Sequence, residues 1–336
     1  EDPDFYEKLF SKKEFHKHQY QIEKKKMEDI CPQTSETREF KLMPHQEFLK
    51  NYISPNTPYN GILIYHSTGV GKTCTAISIA EGFKETMKSY KRKIIVISSE
   101  SIKKNFKKEL FNPSKKKYKK KKDDIVQCTG LTYELGDEFK YLTSEQKLLK
   151  IDKIINESYQ FYAYTKFANN LISNVGLDSD NLSEITEEQK KKINSIYSNR
   201  VIIVDEVHNI RKGTSNKDMK KIYRMLELII ENTINLKLVL MSATPMYDKP
   251  KEIIHLLNLL LKNDNRQTIK EIDIFDQDGN IKEGADEKLL FISKGYVSYL
   301  RGENPSTFPM RIIPKEAKIP KVKYNILGGE IPINER

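Results

Sequence analysis

Six runs of β-branched and apolar residues, each of strand length, recur along this chain at 61–65, 94–97, 125–126, 161–164, 201–204 and 236–241. Most are separated by longer stretches with helical spacing. Runs that are apolar throughout suit strands whose sheet is covered on both faces, and strands alternating with helices lie parallel. The pattern predicts an α/β fold, a parallel sheet flanked by helices. Ligands of such sheets bind at the carboxyl ends of the strands, so the residues just after each run are where chemistry should be sought. Residues 1–40 are charged and patchy and read as an N-terminal helical extension, ahead of a lobe spanning 41–262. Residues 168–198 are polar and helix-prone and read as an insertion on that lobe. From 263 to 336 the pattern loosens into Asp, Asn and Gly turns and a Pro-punctuated stretch, a C-terminal bridging segment.

The segment after the first run is His66-Ser-Thr-Gly-Val-Gly-Lys-Thr73, and an apolar stretch, Ala76 to Phe83, follows it. A strand, a Gly-rich loop, Lys-Thr and then a helix are what polyphosphate binding requires. Gly69 and Gly71 let the backbone of Thr68 to Gly71, Val70 included, curl so that its N–H groups converge on phosphate oxygens. Lys72 would reach the β and γ phosphates, and the Thr73 hydroxyl would ligate Mg²⁺. His66 stands where the general pattern has Gly.

The fifth run ends in Asp205-Glu-Val-His208. An Asp at the end of a buried strand can hold Mg²⁺ or its water beside a phosphate loop, and the adjacent Glu can orient and deprotonate an attacking water. The last run closes in Ser242-Ala243-Thr244-Pro245, whose hydroxyls could bond His208 or a phosphate-side water, or serve as a helix N-cap. A kinase or GTPase reading finds no acceptor-binding motif and no guanine-reading NKxD.

Net charge is +11, which suits a polyanion partner, although a Lys-, Asn- and Ile-rich chain also acquires such charge by compositional drift. Cys31, Cys74 and Cys128 stand far apart and read as free thiols of a reducing compartment. His16, His18, Cys31 and His45 match no zinc-site spacing. With no signal peptide, and no apolar stretch longer than 253–261, the chain is expected to be soluble. It starts at Glu rather than Met and stops mid-pattern, as a fragment of a longer protein would.

In that order, HSTGVGKT, DEVH and SAT resemble motifs I, II and III of the DExH type of superfamily 2 helicases. Pro44-His45-Gln46 looks like the glutamine motif of the chromatin-remodeller branch. Over residues 40–314 the chain is similar to helicases of large DNA viruses related to the poxvirus early transcription factor small subunit and nucleoside triphosphatase I. The segments 54–60, 245–247 and 295–305 carry the likeness further. The resemblance implies a RecA-like lobe using ATP and Mg²⁺. Gln46 would read adenine, Lys72 and Thr73 would hold phosphate and metal, and Asp205 and Glu206 would serve metal and water. His208, Ser242, Ala243 and Thr244 would couple hydrolysis to movement. Ser99, Lys103, Thr129, Gly130 and Thr165 would touch a nucleic-acid backbone, DNA before RNA, though a Ser or Thr after a strand is also an ordinary cap. RNA polymerase or a transcription-factor subunit would be the protein partner, in the virion and the infected-cell cytoplasm. The family's second lobe carries an arginine motif, QxxGRxxR, that this sequence lacks. Its lysine run at 115–122 reads either as a solvated loop or as a phosphate-backbone tether.

Overall fold

Strands β1 (Gly61–His66), β2 (Ile94–Ser98), β3 (Tyr159–Ala163), β4 (Val201–Val204), β5 (Lys237–Ser242) and β6 (Val297–Leu300) form one sheet. Its order is β3-β2-β4-β5-β1-β6 and every pairing is parallel. This computed structural model describes residues 2–18, 42–110, 128–129, 141–178, 181–182, 184–210, 217–246 and 249–301. The apolar run at 125–126, the lysine run, Cys31 and Gly130 lie outside these. The α/β fold expected from the alternation, a parallel sheet flanked by helices, is what the chain forms.

Alternation within each strand explains why the runs carry no polar face. Ile62, Ile64, Ile94, Val96, Val201, Ile203, Val239 and Met241 enter one core layer, while Leu63, Ile95, Ile97, Ile202, Val204, Leu238 and Leu240 enter the other. Each side of the sheet therefore demands a helical cover. One side receives α1 (Phe5–Phe10), α2 (Lys13–His16), α3 (Pro44–Tyr52), α4 (Lys72–Gly82), α5 (Lys84–Ser89), α6 (Glu100–Leu110) and α7 (Ser144–Ser158). The other receives α8 (Tyr164–Val175), α9 (Glu187–Tyr197), α10 (Lys217–Glu231), α11 (Glu252–Asn263) and α12 (Ala285–Ser293).

Local sequence sets several of these boundaries. Thr143 and Gln146 cap α7 reciprocally, and Thr186 and Gln189 do the same for α9. Gly176 ends α8 in the left-handed region at φ 77°. The stretch 168–198 holds most of α8 and all of α9, and its Leu171, Val175, Ile193 and Tyr197 are buried in the second core layer. At the N-terminus Phe10 and Phe15 pack on Phe48 of α3, with ring centroids 5.7 and 5.2 Å apart.

One expectation is corrected. Cys74 in α4 and Cys128 are joined as a disulfide, with Cα atoms 5.2 Å apart, so two of the three supposed free thiols are paired. Their separation of 54 residues hid the pairing, because it arises from tertiary packing and not from sequence spacing. β6 is the strand the pattern did not announce. It is four residues long, contains Ser298, and lies at the sheet edge, so it needs no continuous apolar run. No helix among the described residues is long and apolar enough to cross a membrane.

A candidate nucleotide site at the carboxyl edge of the sheet

Because all the strands run the same way, the loops after β1, β5 and β4 emerge side by side at one edge. The register pairs Tyr65 with Ser242, and Val204 with Leu240. Order in space thus becomes phosphate-loop candidate, Ser242, acidic pair, although Ser242 lies 170 residues beyond Lys72 in the chain.

After β1 the backbone turns through left-handed conformations at Gly69 (φ 84°) and Gly71 (φ 81°), then enters α4 at Lys72. No side chain caps that helix. Its first N–H groups and the positive end of its dipole are left to an anion. Gln46 is buried against this loop, its Nε2 donating to the Gly71 carbonyl at 3.2 Å while its Oε1 accepts from the Met43 N–H at 2.9 Å. A Cβ on Gly71 would sit 2.5 Å from Gln46 Nε2. Gly71→Ala should therefore both clash and force a left-handed alanine, a backbone cost of about 1–2 kcal/mol. We expect it to weaken nucleotide binding about tenfold or more, read by titration with a fluorescent ATP analogue.

His66, in the glycine position of the general pattern, is fully buried. Its Nε2 lies 2.9 Å from Ser298 Oγ of β6, and its ring packs edge-on to His45 at 5.4 Å. Burial, with His45 and Lys72 nearby, pushes its pKa down to about 3, so the ring is neutral. A neutral ring there adds bulk without adding charge.

Lys72 and the acidic pair meet. Lys72 Nζ lies 3.0 Å from Glu206 Oε1, and His208 Nδ1 lies 3.2 Å from Glu206 Oε2. A carboxylate only accepts, so the proton of that second contact sits on Nδ1. Ser242 Oγ, 2.8 Å from the same nitrogen, completes the group and also accepts from the Thr244 N–H at 3.0 Å. His208 first, then Lys72, holds the Glu206 carboxyl down at about 2. Asp205 is 2% exposed, and burial pushes its carboxyl up to about 6. Two adjacent carboxyls with pKa values driven apart can take different tasks.

Glu206 itself adopts a left-handed backbone, φ 48° and ψ 51°. For a residue other than glycine this costs on the order of 1–3 kcal/mol, and it persists only where neighbours impose it. The Tyr164 hydroxyl is one such neighbour. It is 2.6 Å from the Asp205 carbonyl oxygen and 3.3 Å from that of Glu206. Sequence reading missed Tyr164 as a site residue, since it merely closes an apolar run.

Among the remaining candidates, Ser99 and Thr165 follow the paired ends of β2 and β3, Ser98 and Ala163. Ser99 takes a 3.4 Å hydrogen bond from the Ile102 N–H at the start of α6, and Lys103 Nζ lies 3.5 Å from Glu100. Thr129 is buried, with its hydroxyl donating to the Leu110 carbonyl at 2.8 Å. Thr165 and Thr68 are exposed. Among the described residues no cluster of three or more His, Cys, Asp or Glu would hold a metal unaided. Mg²⁺ carried by a triphosphate needs only one or two protein oxygens, and the Thr73 hydroxyl and Asp205 carboxylate are hard donors of that kind. A cavity of about 350 Å³ opens at the opposite, amino edge, beside Asn60, Tyr52, Tyr59 and Tyr296. It holds none of these groups.

Residues 12–247 match the family described as Type III restriction enzyme, res subunit. Two proteins of Acanthamoeba polyphaga mimivirus, both provisionally named ATP-dependent RNA helicases, are 33% identical to the chain. One aligns over 92% of this chain and 27% of its own length, the other over 98% and 52%. An African swine fever virus protein named early transcription factor large subunit homolog is 24% identical, over 83% of this chain and 30% of its own. The subunit named there is the large one, where the sequence reading named the small. The SWI2/SNF2 ATPase core of Sulfolobus solfataricus with dsDNA covers 81% of this chain and 48% of its own at 15% identity and a TM-score of 0.43. The chain thus spans from about a quarter to about half the length of the mimivirus relatives. With the family match extending over well more than half of its residues, the chain belongs to the Type III restriction enzyme res-subunit family and stands there with the helicase-like ATPases of large DNA viruses.

Proposed function

We propose that this chain is the ATP-binding lobe of a nucleic-acid motor, hydrolysing ATP to move along or remodel DNA or RNA during viral transcription. The observation that carries the reading is the 3.0 Å contact between Lys72 and Glu206, which sets the phosphate-loop lysine against the water-activating candidate. Gln46, pressed on Gly71, would read adenine at the loop's edge. The loop N–H groups from Thr68 to Gly71 and the Lys72 ammonium would neutralise the phosphates. Thr73 and Asp205 would hold Mg²⁺, which supplies charge neutralisation at the β and γ phosphates when bound.

Lys72 cannot serve a phosphate and Glu206 equally. As phosphate oxygens draw Lys72 away, Glu206 loses one of the groups that keep its carboxyl acidic, and its basicity rises as it is needed. His208 and Ser242 would carry the change from Glu206 to the end of β5. Lysines at 115–122 would add a salt-sensitive, sequence-independent attraction to nucleic acid. Ser99, Lys103, Thr129, Gly130 and Thr165 remain the proposed backbone contacts.

The test is ATPase activity of the full protein with and without single- and double-stranded DNA and RNA, beside a strand-displacement assay. Stimulation by nucleic acid is the expected result, and no stimulation by any of the four would defeat the motor reading. Residues 1–336 alone, lacking the second lobe's arginine motif, should bind ATP weakly and turn it over slowly, because such an arginine is worth about 10³–10⁵ in rate. Brisk stimulated turnover by residues 1–336 would refute that dependence. The African swine fever virus relative's name favours a second reading, a transcription-factor subunit that uses ATP to switch DNA binding. ATP-dependent DNA binding without strand displacement would select it.

A further inference from the structure

Tyr164 opens α8 directly after β3, and only 8% of its surface is exposed. Its hydroxyl reaches the two carbonyls that flank the Glu206 Cα, Asp205 C=O at 2.6 Å and Glu206 C=O at 3.3 Å. Those carbonyls belong to the peptide planes before and after Glu206. The relative orientation of the two planes is what φ and ψ of Glu206 describe, here 48° and 51°. One phenolic proton, shared between the two oxygens with the shorter bond to Asp205, thus holds a backbone conformation that a glutamate does not choose. At Glu206 the outcome is a carboxylate set between Lys72 and His208. A relaxed right-handed or extended Glu206 would swing that carboxylate away from both.

We infer that Tyr164 is a positioning residue for ATP hydrolysis, its hydroxyl locking the strained turn that aims Glu206 at the water it activates. The inference rests on the proposed roles of Lys72 and Glu206. Core packing requires only the ring, which joins Phe167 and Tyr197 in the second core layer. The turn requires the hydroxyl, so ring and hydroxyl can be separated by substitution.

Tyr164→Phe keeps the ring and removes the proton. In single-turnover hydrolysis by the full protein, it should lower the rate about tenfold to a hundredfold while leaving the affinity for a non-hydrolysable ATP analogue within about twofold. Amide hydrogen exchange over 203–209, a readout independent of turnover, should speed up in the same variant. Replacing Tyr164 by 4-aminophenylalanine restores an N–H donor, and should bring back most of the rate. A Tyr164→Phe protein with wild-type hydrolysis and unchanged exchange overturns the inference. So does a 4-aminophenylalanine variant no faster than Phe, which would mean the hydroxyl acts through packing. A Lys72→Ala control that hydrolyses like wild type would sink the site assignment itself, while faster exchange at 203–209 in Tyr164→Phe would still report the lock.

Discussion

Lys72→Ala is expected to cut ATP hydrolysis at least about a hundredfold and to weaken ATP binding as well. Two losses combine. The ammonium is the one side-chain cation that the site aims from the glycine loop, so the phosphates lose their direct partner. Glu206 also loses its 3.0 Å ion pair and is left with its 3.2 Å contact to His208 Nδ1. The carboxylate is then no longer held in place by Lys72, so its aim at the attacking water slackens together with the phosphate grip. Steady-state ATPase and analogue titration, side by side, would show both effects. Unchanged turnover in Lys72→Ala would mean that hydrolysis happens elsewhere.

Glu206→Gln should separate what Lys72→Ala confounds. Glutamine keeps the shape and can turn its one amide oxygen to Lys72 and its NH₂ to His208, whose Nδ1 accepts in the other tautomer, but its amide cannot take a proton from water. Hydrolysis should fall about 10²–10⁴-fold, the usual worth of a placed base. Analogue affinity should hold or rise, because the phosphates no longer compete with a carboxylate for Lys72. A pulse of radiolabelled ATP would then remain bound as ATP on this variant, whereas Lys72→Ala would retain little. If Glu206→Gln hydrolyses at the wild-type rate, water activation belongs to another group.

Which parts of this were legible in the sequence follows from the range of the interactions. The phosphate loop is a local object. Gly69, Gly71, Lys72 and Thr73 do their work within eight residues of one strand end, so spacing alone exposes it. The buried strands β1, β2, β4 and β5 announce themselves because cover on both faces forbids polar alternation. β6 escaped because an edge strand of four residues tolerates Ser298 and Tyr299. The apolar run 161–164 was visible, but not that its last residue leaves the strand and turns its hydroxyl toward Asp205, 41 residues on. Nor could spacing show that Cys74 meets Cys128. Such contacts depend on which strands become neighbours, and neighbour order follows from crossovers that no single segment encodes. The acidic pair was legible as chemistry, and its strain was not, since a left-handed glutamate is imposed from outside the turn.

The central claim is that one triphosphate is gripped by the glycine loop and the acidic pair together. A crystal structure of the full protein with Mg²⁺ and a non-hydrolysable ATP analogue measures this directly. We expect phosphate oxygens on Lys72 Nζ, the metal between Thr73 and Asp205, and Glu206 released from Lys72 toward the γ-phosphate. A nucleotide seated at the amino edge of the sheet beside Tyr52 and Tyr296, or on the loop with Asp205 and Glu206 taking no part, would contradict the account.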